Sequence, residues 1–216
     1  MAIVLDVTSG GGTTFSTVTP LTWVHTSTGS DRLLLVGIQN PGSASAPAVT
    51  YNSVSMTDLV NGADSNNGYL TIFGLLNPAT GANTVSVSFT GAGSYAYGGG
   101  ISYTGVRQSS LPDGTASRLN VADGTTITGT ITTNSANAWD AAMSLCTSSL
   151  TISAGAGQMS RLTWTGNTGV LGGDSNAALV QGANTLTSNF TGTSATSSMI
   201  LVSFAPVEEA RGLDLT

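Results

Sequence analysis

Thr84-Val85-Ser86-Val87-Ser88-Phe89 alternates polar and apolar side chains without a break. Successive side chains of a strand point to opposite faces, so Val85, Val87 and Phe89 share one face. Such alternation marks a strand covered on one side and wet on the other. Leu33-Leu34-Leu35-Val36 is continuously apolar instead, as expected of a strand covered on both faces. No stretch of the chain carries a helical period.

Working outward, short runs of β-branched and aromatic residues alternate with turn clusters, the pattern of an antiparallel sandwich or barrel. Strands are expected near 2–8, 21–26, 32–39, 47–51, 53–60, 69–76, 83–90 and 97–104. A second series is expected near 125–133, 138–147, 158–164, 177–181, 184–190 and 197–205. Asn61-Gly62, Asp113-Gly114 and Asp123-Gly124 supply the positive φ of tight turns. Asn40-Pro41 and Asn77-Pro78 end strands, because proline donates nothing to a ladder. Gly98-Gly99-Gly100 lies inside a strand pattern and reads as a bulge or a close backbone approach. No internal repeat of fixed period is visible, and a weak seam falls at 107–124.

Composition narrows the function. Only 7% of the 216 residues are charged, against roughly a quarter in an ordinary soluble domain. Lysine is absent, and the five arginines (Arg32, Arg107, Arg118, Arg161, Arg211) are scattered. Neutralising phosphates takes clustered cations, so no nucleic-acid partner is expected. Hydropathy averages +0.20, which argues against disorder. No window approaches the length of a membrane helix, and Met1 to Asp6 lacks a basic export segment. The expected product starts as a soluble cytoplasmic polypeptide with no membrane partner.

Candidate chemistry is sparse. His25 is the one histidine, it sits in a strand pattern, and no Gly-x-Ser-x-Gly elbow exists, so a hydrolase triad is not expected. Cys146 is the one cysteine and lies in an apolar run, as a small core residue would. One His and one Cys cannot furnish a zinc site. Asp64-Ser-Asn66-Asn-Gly68 echoes the start of a calcium loop, but the bidentate Glu is missing, and an Asn-rich hairpin loop explains it. The expectation is no enzyme, no metal and no cofactor.

Four segments in order carry a resemblance: Trp23-Val-His25 with Asp31-Arg32-Leu33-Leu34-Leu35-Val36-Gly37; Val49-Thr50-Tyr51; Leu76-Asn77-Pro78-Ala-Thr-Gly81-Ala-Asn-Thr84-Val85; and Ser102-Tyr103-Thr104-Gly105-Val106. This succession, over about 21–112, resembles a jelly-roll-like β-sandwich module of bacteriophage virion proteins. The resemblance implies an all-β, antiparallel, jelly-roll-like sandwich serving as a head decoration (cement) protein, head fibre or tail component. It brings no catalytic residues.

The expected organisation is an N-terminal extended arm with a glycine hinge (1–12), a sandwich (13–206) and a polar tail (207–216). Ile3, Val4, Leu5 and Val7 are the candidate inter-subunit arm, adding a strand to a neighbour's sheet. The expected function is a capsid decoration protein acting in the virion. Its partners would be the major capsid protein or other virion proteins, and its own state a homo-oligomer, a trimer being favoured. The alternative is a carbohydrate-binding module of a tail fibre or adhesin, with Tyr95 and Tyr97 projecting to one glycan-facing side.

Overall fold

The computed structural model of the chain describes residues 1–14, 20–40, 47–65, 68–89, 96–122, 124–147, 150–164, 168–194 and 196–208. These hold seventeen strands and no helix. The first nine are β1 (Val4–Thr14), β2 (Leu21–Ser27), β3 (Leu33–Asn40), β4 (Ala48–Tyr51), β5 (Val54–Ser55), β6 (Thr57–Asp64), β7 (Gly68–Leu76), β8 (Gly81–Ser88) and β9 (Ala96–Thr104). The others are β10 (Gly114–Val121), β11 (Gly124–Thr133), β12 (Trp139–Thr147), β13 (Ile152–Ala154), β14 (Met159–Trp164), β15 (Thr168–Asp174), β16 (Gly182–Ser194) and β17 (Ser197–Phe204).

All pairing is antiparallel, and in the first half it is nested: β1 pairs with β9, β2 with β8, β3 with β7, β4 with β5. Alternate pairs fall in different sheets, giving an inner sheet β1-β9-β3-β7-β6 and an outer sheet β2-β8-β4-β5. The second half repeats this plan. Its inner sheet runs β10-β17-β12-β15-β14 and its outer sheet β11-β16-β13. Renumbered from its own start, each strand takes the place of its counterpart, and only the two-residue β5 has no equivalent. The all-β antiparallel sandwich read from the sequence is thus present, with the same winding order run through twice.

Three cores separate four layers. Leu34, Val36, Ile38, Val85 and Val87 fill the space between outer and inner sheets of the first half. Ile127, Ile131, Leu186, Met199 and Leu201 do the same in the second half. The central core joins the halves through Leu33, Leu35, Ile72, Tyr103, Met143, Ile200, Val202 and Phe204. Inner strands away from the sheet edges are therefore covered on both faces: every residue of β17 is buried, as are Leu33 to Val36 of β3, whereas the edge strands β6, β10 and β14 keep exposed residues. Glycine lets the layers approach. A Cβ on Gly99 would stand 2.6 Å from Leu162 Cδ1 and 2.7 Å from Trp164 Cζ2, so the close-approach reading of Gly98–Gly100 holds.

Two expectations need correction. Val4–Thr14 is not an arm: it is β1, paired with β9 of the same chain through Val4↔Thr104, Leu5↔Tyr103 and Thr8↔Ile101. Ile3 is 4% exposed in the central core, with Leu5 packed against it. The Val7 amide donates to Ser102 Oγ at 3.3 Å, while Val4 faces outward. Strand propensity in 2–8 was read correctly, but propensity does not say whose edge a strand joins. Gly10–Gly12 falls at a shift of register within β1, not at a hinge. Asn61-Gly62 likewise lies inside β6, opposite Thr71 and Leu70, and Gly62 leaves room for Leu119 of β10.

Strand expectation failed at four places. Segment 177–181 contributes only an isolated bridge, Ala138↔Leu179. β10, β13 and β15 were not expected. β15 contains Gly169, Gly172 and Gly173, and a Cβ on Gly173 would collide with Gln158 and Met159. The close packing that makes β15 a central strand also removes its strand-forming side chains. The tail is described only to Glu208, which is exposed.

Candidate binding faces and buried polar clusters

The outer sheets turn one face to their core and one away from the molecule. On the outward face of the second half, Thr126, Thr128, Thr130 and Thr132 of β11 stand opposite Asn189, Thr187, Thr185 and Ala183 of β16. The Thr128 and Thr187 hydroxyls are 2.9 Å apart, a cross-strand hydrogen bond of the kind that steadies a sheet. On the first half, Thr22 and Val24 of β2 stand opposite Ser86 and Thr84 of β8, and Thr50 of β4 flanks Ser86. None of the seven strands of the outer sheets contains Asp, Glu, Lys or Arg. Both faces are neutral lattices of hydroxyl, amide and methyl groups.

Four aspartates go inward. Asp64, Asp113, Asp140 and Asp174 are all at most 7% exposed. Asp174 Oδ2 accepts from Tyr103 Oη at 2.8 Å and Arg161 Nε at 2.8 Å, and Oδ1 accepts from Arg161 Nη2 at 2.9 Å. Tyr103 belongs to the first half and the ion pair to the second, so this cluster pins the two inner sheets together. Asp64, expected in the calcium-loop reading, instead accepts from Ser198 Oγ of the second half at 2.5 Å. Asn66 of that loop lies outside the described residues. Asp113 gathers the Asn134 amide at 2.7 Å, the Ser135 amide at 3.1 Å, Ser135 Oγ at 2.6 Å and Arg107 Nη2 at 3.4 Å.

His25 forms an arrangement with a catalytic outline. Ser9 Oγ lies 2.7 Å from its Nδ1 and accepts from Trp23 Nε1 at 3.0 Å. A nucleophile within reach of a base is the first requirement of covalent catalysis, but the other requirements are not met. The ring is fully buried, and that burial lowers its pKa to about 4 against the opposing pull of Asp6. An imidazole held neutral so firmly is a weak general base. Nε2 has no partner among the described residues, and the Asp6 carboxylate is taken by Thr28 and Ser102. Trp23, Ser9 and His25 therefore make a polar clasp between β1 and β2. Cys146 is also inert: burial raises its pKa, with Sγ 3.8 Å from the Gly169 carbonyl.

Of the expected glycan-facing pair, the structure describes Tyr97 alone, and it does not face solvent. Tyr97 is 3% exposed and sits in the central core, because β9 is covered on both faces and alternation there never reaches solvent. Tyr95 lies outside the described residues. Residues that sequence reasoning passed over are the outward hydroxyl rows and Asp140. The rows had a visible signal in Thr126-Ile-Thr128-Gly-Thr130-Ile-Thr132. No family model, no curated protein and no solved structure matches the chain.

Proposed function

We propose that the protein is a non-enzymatic structural component of a particle shell, of the bacteriophage decoration type, working through protein–protein contacts of its two outer sheets. The observation that carries this reading is the complete absence of charged side chains from the outer-sheet strands. Burying an unpaired charge at an interface costs several kcal/mol, whereas Thr, Ser and Ala face no such penalty. A face that keeps charge out along its whole length is suited to close contact with another protein. The nested winding of each half supports a jelly-roll reading of the fold, present twice. The partners under this reading are copies of the chain and the shell proteins beneath it, and the place of action is the virion.

Thr130 and Thr84 are exposed, one on each outer face. Lysine at either should leave folding stability within about 0.5 kcal/mol, as for other surface substitutions. Sedimentation velocity of the purified chain should show a homo-oligomer, and Thr84→Lys/Thr130→Lys should reduce it to monomer. A wild-type chain that stays monomeric at every concentration, or a doubly substituted one that associates unchanged, would refute the proposal.

A further inference from the structure

Asp140 is the buried carboxyl that the rest of the structure does not explain. It is 0% exposed, and neither Oδ1 nor Oδ2 has a hydrogen-bond partner among the described residues. Its backbone is fully engaged, the amide donating to Ser175 Oγ at 3.2 Å and the carbonyl accepting from the Ser175 amide at 2.8 Å. The side chain alone is stranded. A buried ionised carboxylate without donors is among the costliest groups a fold can hold, and it escapes by keeping its proton.

Among the described residues Asp140 has no ion pair, Arg107 being paired with Asp113 and Arg161 with Asp174. Across the ladder in β17 the opposite residue is Ser203, and β17, β11 and β16 contain no titratable side chain. At the end of β15, Asp174 stands opposite Ala141, paired to Arg161 of β14 and bonded to Tyr103 of the first half. From the segment before β10 comes Asp113, whose four donors include Arg107. Burial, and then the negative charge of Asp113, raise the pKa of Asp140 to about 7. Asp113 in turn holds the β11–β12 turn at Asn134 and Ser135, and through Arg107 the segment linking the halves.

We propose that Asp140 is a proton-operated latch on this end of the second half. With its proton, the strand ends and the Asp113-bound turn close around it. Losing the proton places a second buried negative charge beside Asp113 and loosens the turn at Asn134 and Ser135. The latch stands or falls independently of the assembly reading above.

Because the folded pKa is raised above the unfolded value, the stabilisation is complete below about pH 4 and is lost as pH rises through about 7. His25 contributes the opposite slope over its own range, so the readout is the difference between wild type and Asp140→Asn in the intact chain. From pH 5 to pH 8 the unfolding constant of wild type relative to the variant should rise roughly hundredfold. Exchange of the Asn134 and Ser135 amides in wild type, corrected for intrinsic chemistry, should quicken over the same range. Carbon-13 titration of the Asp140 carboxyl in the unaltered protein gives a reading that needs no variant. A midpoint near 7 supports the latch; a midpoint near 4, or parallel stability profiles for the two proteins, overturns it.

Discussion

Replacing Asp174 with alanine removes the acceptor that three donors share across the boundary between halves. Tyr103 is completely buried and its hydroxyl reaches Asp174 at 2.8 Å, so the substitution leaves that O–H with nothing to bind. An unsatisfied buried hydroxyl costs about 1–3 kcal/mol. Arg161 loses a two-pronged contact while its side chain is only 13% exposed. Breaking a buried ion pair from one side costs about 3–5 kcal/mol, because the remaining charge stays unpaired. The two losses overlap, and Arg161 keeps Asn176 as an acceptor, so about 4 kcal/mol is expected for the whole change. For a chain of this size that corresponds to a Tm lower by roughly 8–16 °C. Tyr103→Phe is the contrasting variant. It leaves Asp174 fully paired to Arg161 and should cost about 1 kcal/mol. Urea and thermal unfolding at pH 6, followed by tryptophan fluorescence, measure both. If Asp174→Ala falls within 1 kcal/mol of wild type, the cluster does not hold the halves together and the reasoning fails.

Gly99→Val should lower stability by about 1–3 kcal/mol through overpacking against Leu162 and Trp164. Gly10→Ala, with nothing within 4 Å of its new Cβ, is the neutral control in the same unfolding assay. Ser9→Ala strands the Trp23 indole N–H and His25 Nδ1 and should cost about 1–3 kcal/mol. A fluorophosphonate should not label wild-type Ser9, and covalent labelling there detected by mass spectrometry would show a reactive serine rather than a clasp.

Hydrophobic period carries most of the fold in this chain, while of the three Asx-Gly glycines expected at positive φ only Gly124 has it, Gly62 and Gly114 being strand residues. Alternation in 84–89 and the apolar run at 33–36 mark an outer and an inner strand, and both are where the sequence places them. What periodicity lacks is partner identity. β1 has the composition of a strand wherever it pairs, and only the vacant edge of β9 decides the matter. Tyr97 fails for a related reason: in a four-layer stack an inner strand has no solvent side, so alternating aromatics are core on either face. Strands built from glycine, such as β15, disappear from propensity because their role is to admit neighbours. Charge scarcity was legible as a count, but not the migration of four aspartates into the interior. Asp140 in particular is one polar residue between Trp139 and Ala141, and nothing local distinguishes it from a solvent-facing position.

The repeated winding escaped notice because topology constrains pairing, not residue identity. Ala96-Tyr-Gly-Gly-Gly-Ile-Ser-Tyr-Thr104 and Ser197-Ser-Met-Ile-Leu-Val-Ser-Phe204 occupy equivalent central positions with little in common. One strand uses glycine to bring layers together, and the other fills the same kind of gap with Met199, Ile200 and Leu201. Each unit must cover both faces of its inner sheet, and joining the two inner sheets solves this for both at once. The consequence is that the outer faces point away from each other and remain the free broad surfaces of both units. If charge had been excluded merely by drift in composition, it would be missing from inner and outer strands alike. Instead Asp6, Asp58, Asp64, Arg118, Asp140, Arg161 and Asp174 all lie on inner-sheet strands, Asp64, Asp140 and Asp174 buried and Asp58 exposed on β6. Charged side chains thus occur on inner-sheet strands at both buried and exposed positions and are absent from the outer-sheet strands. That distribution is the one that the proposed contacts of the two outer sheets would require.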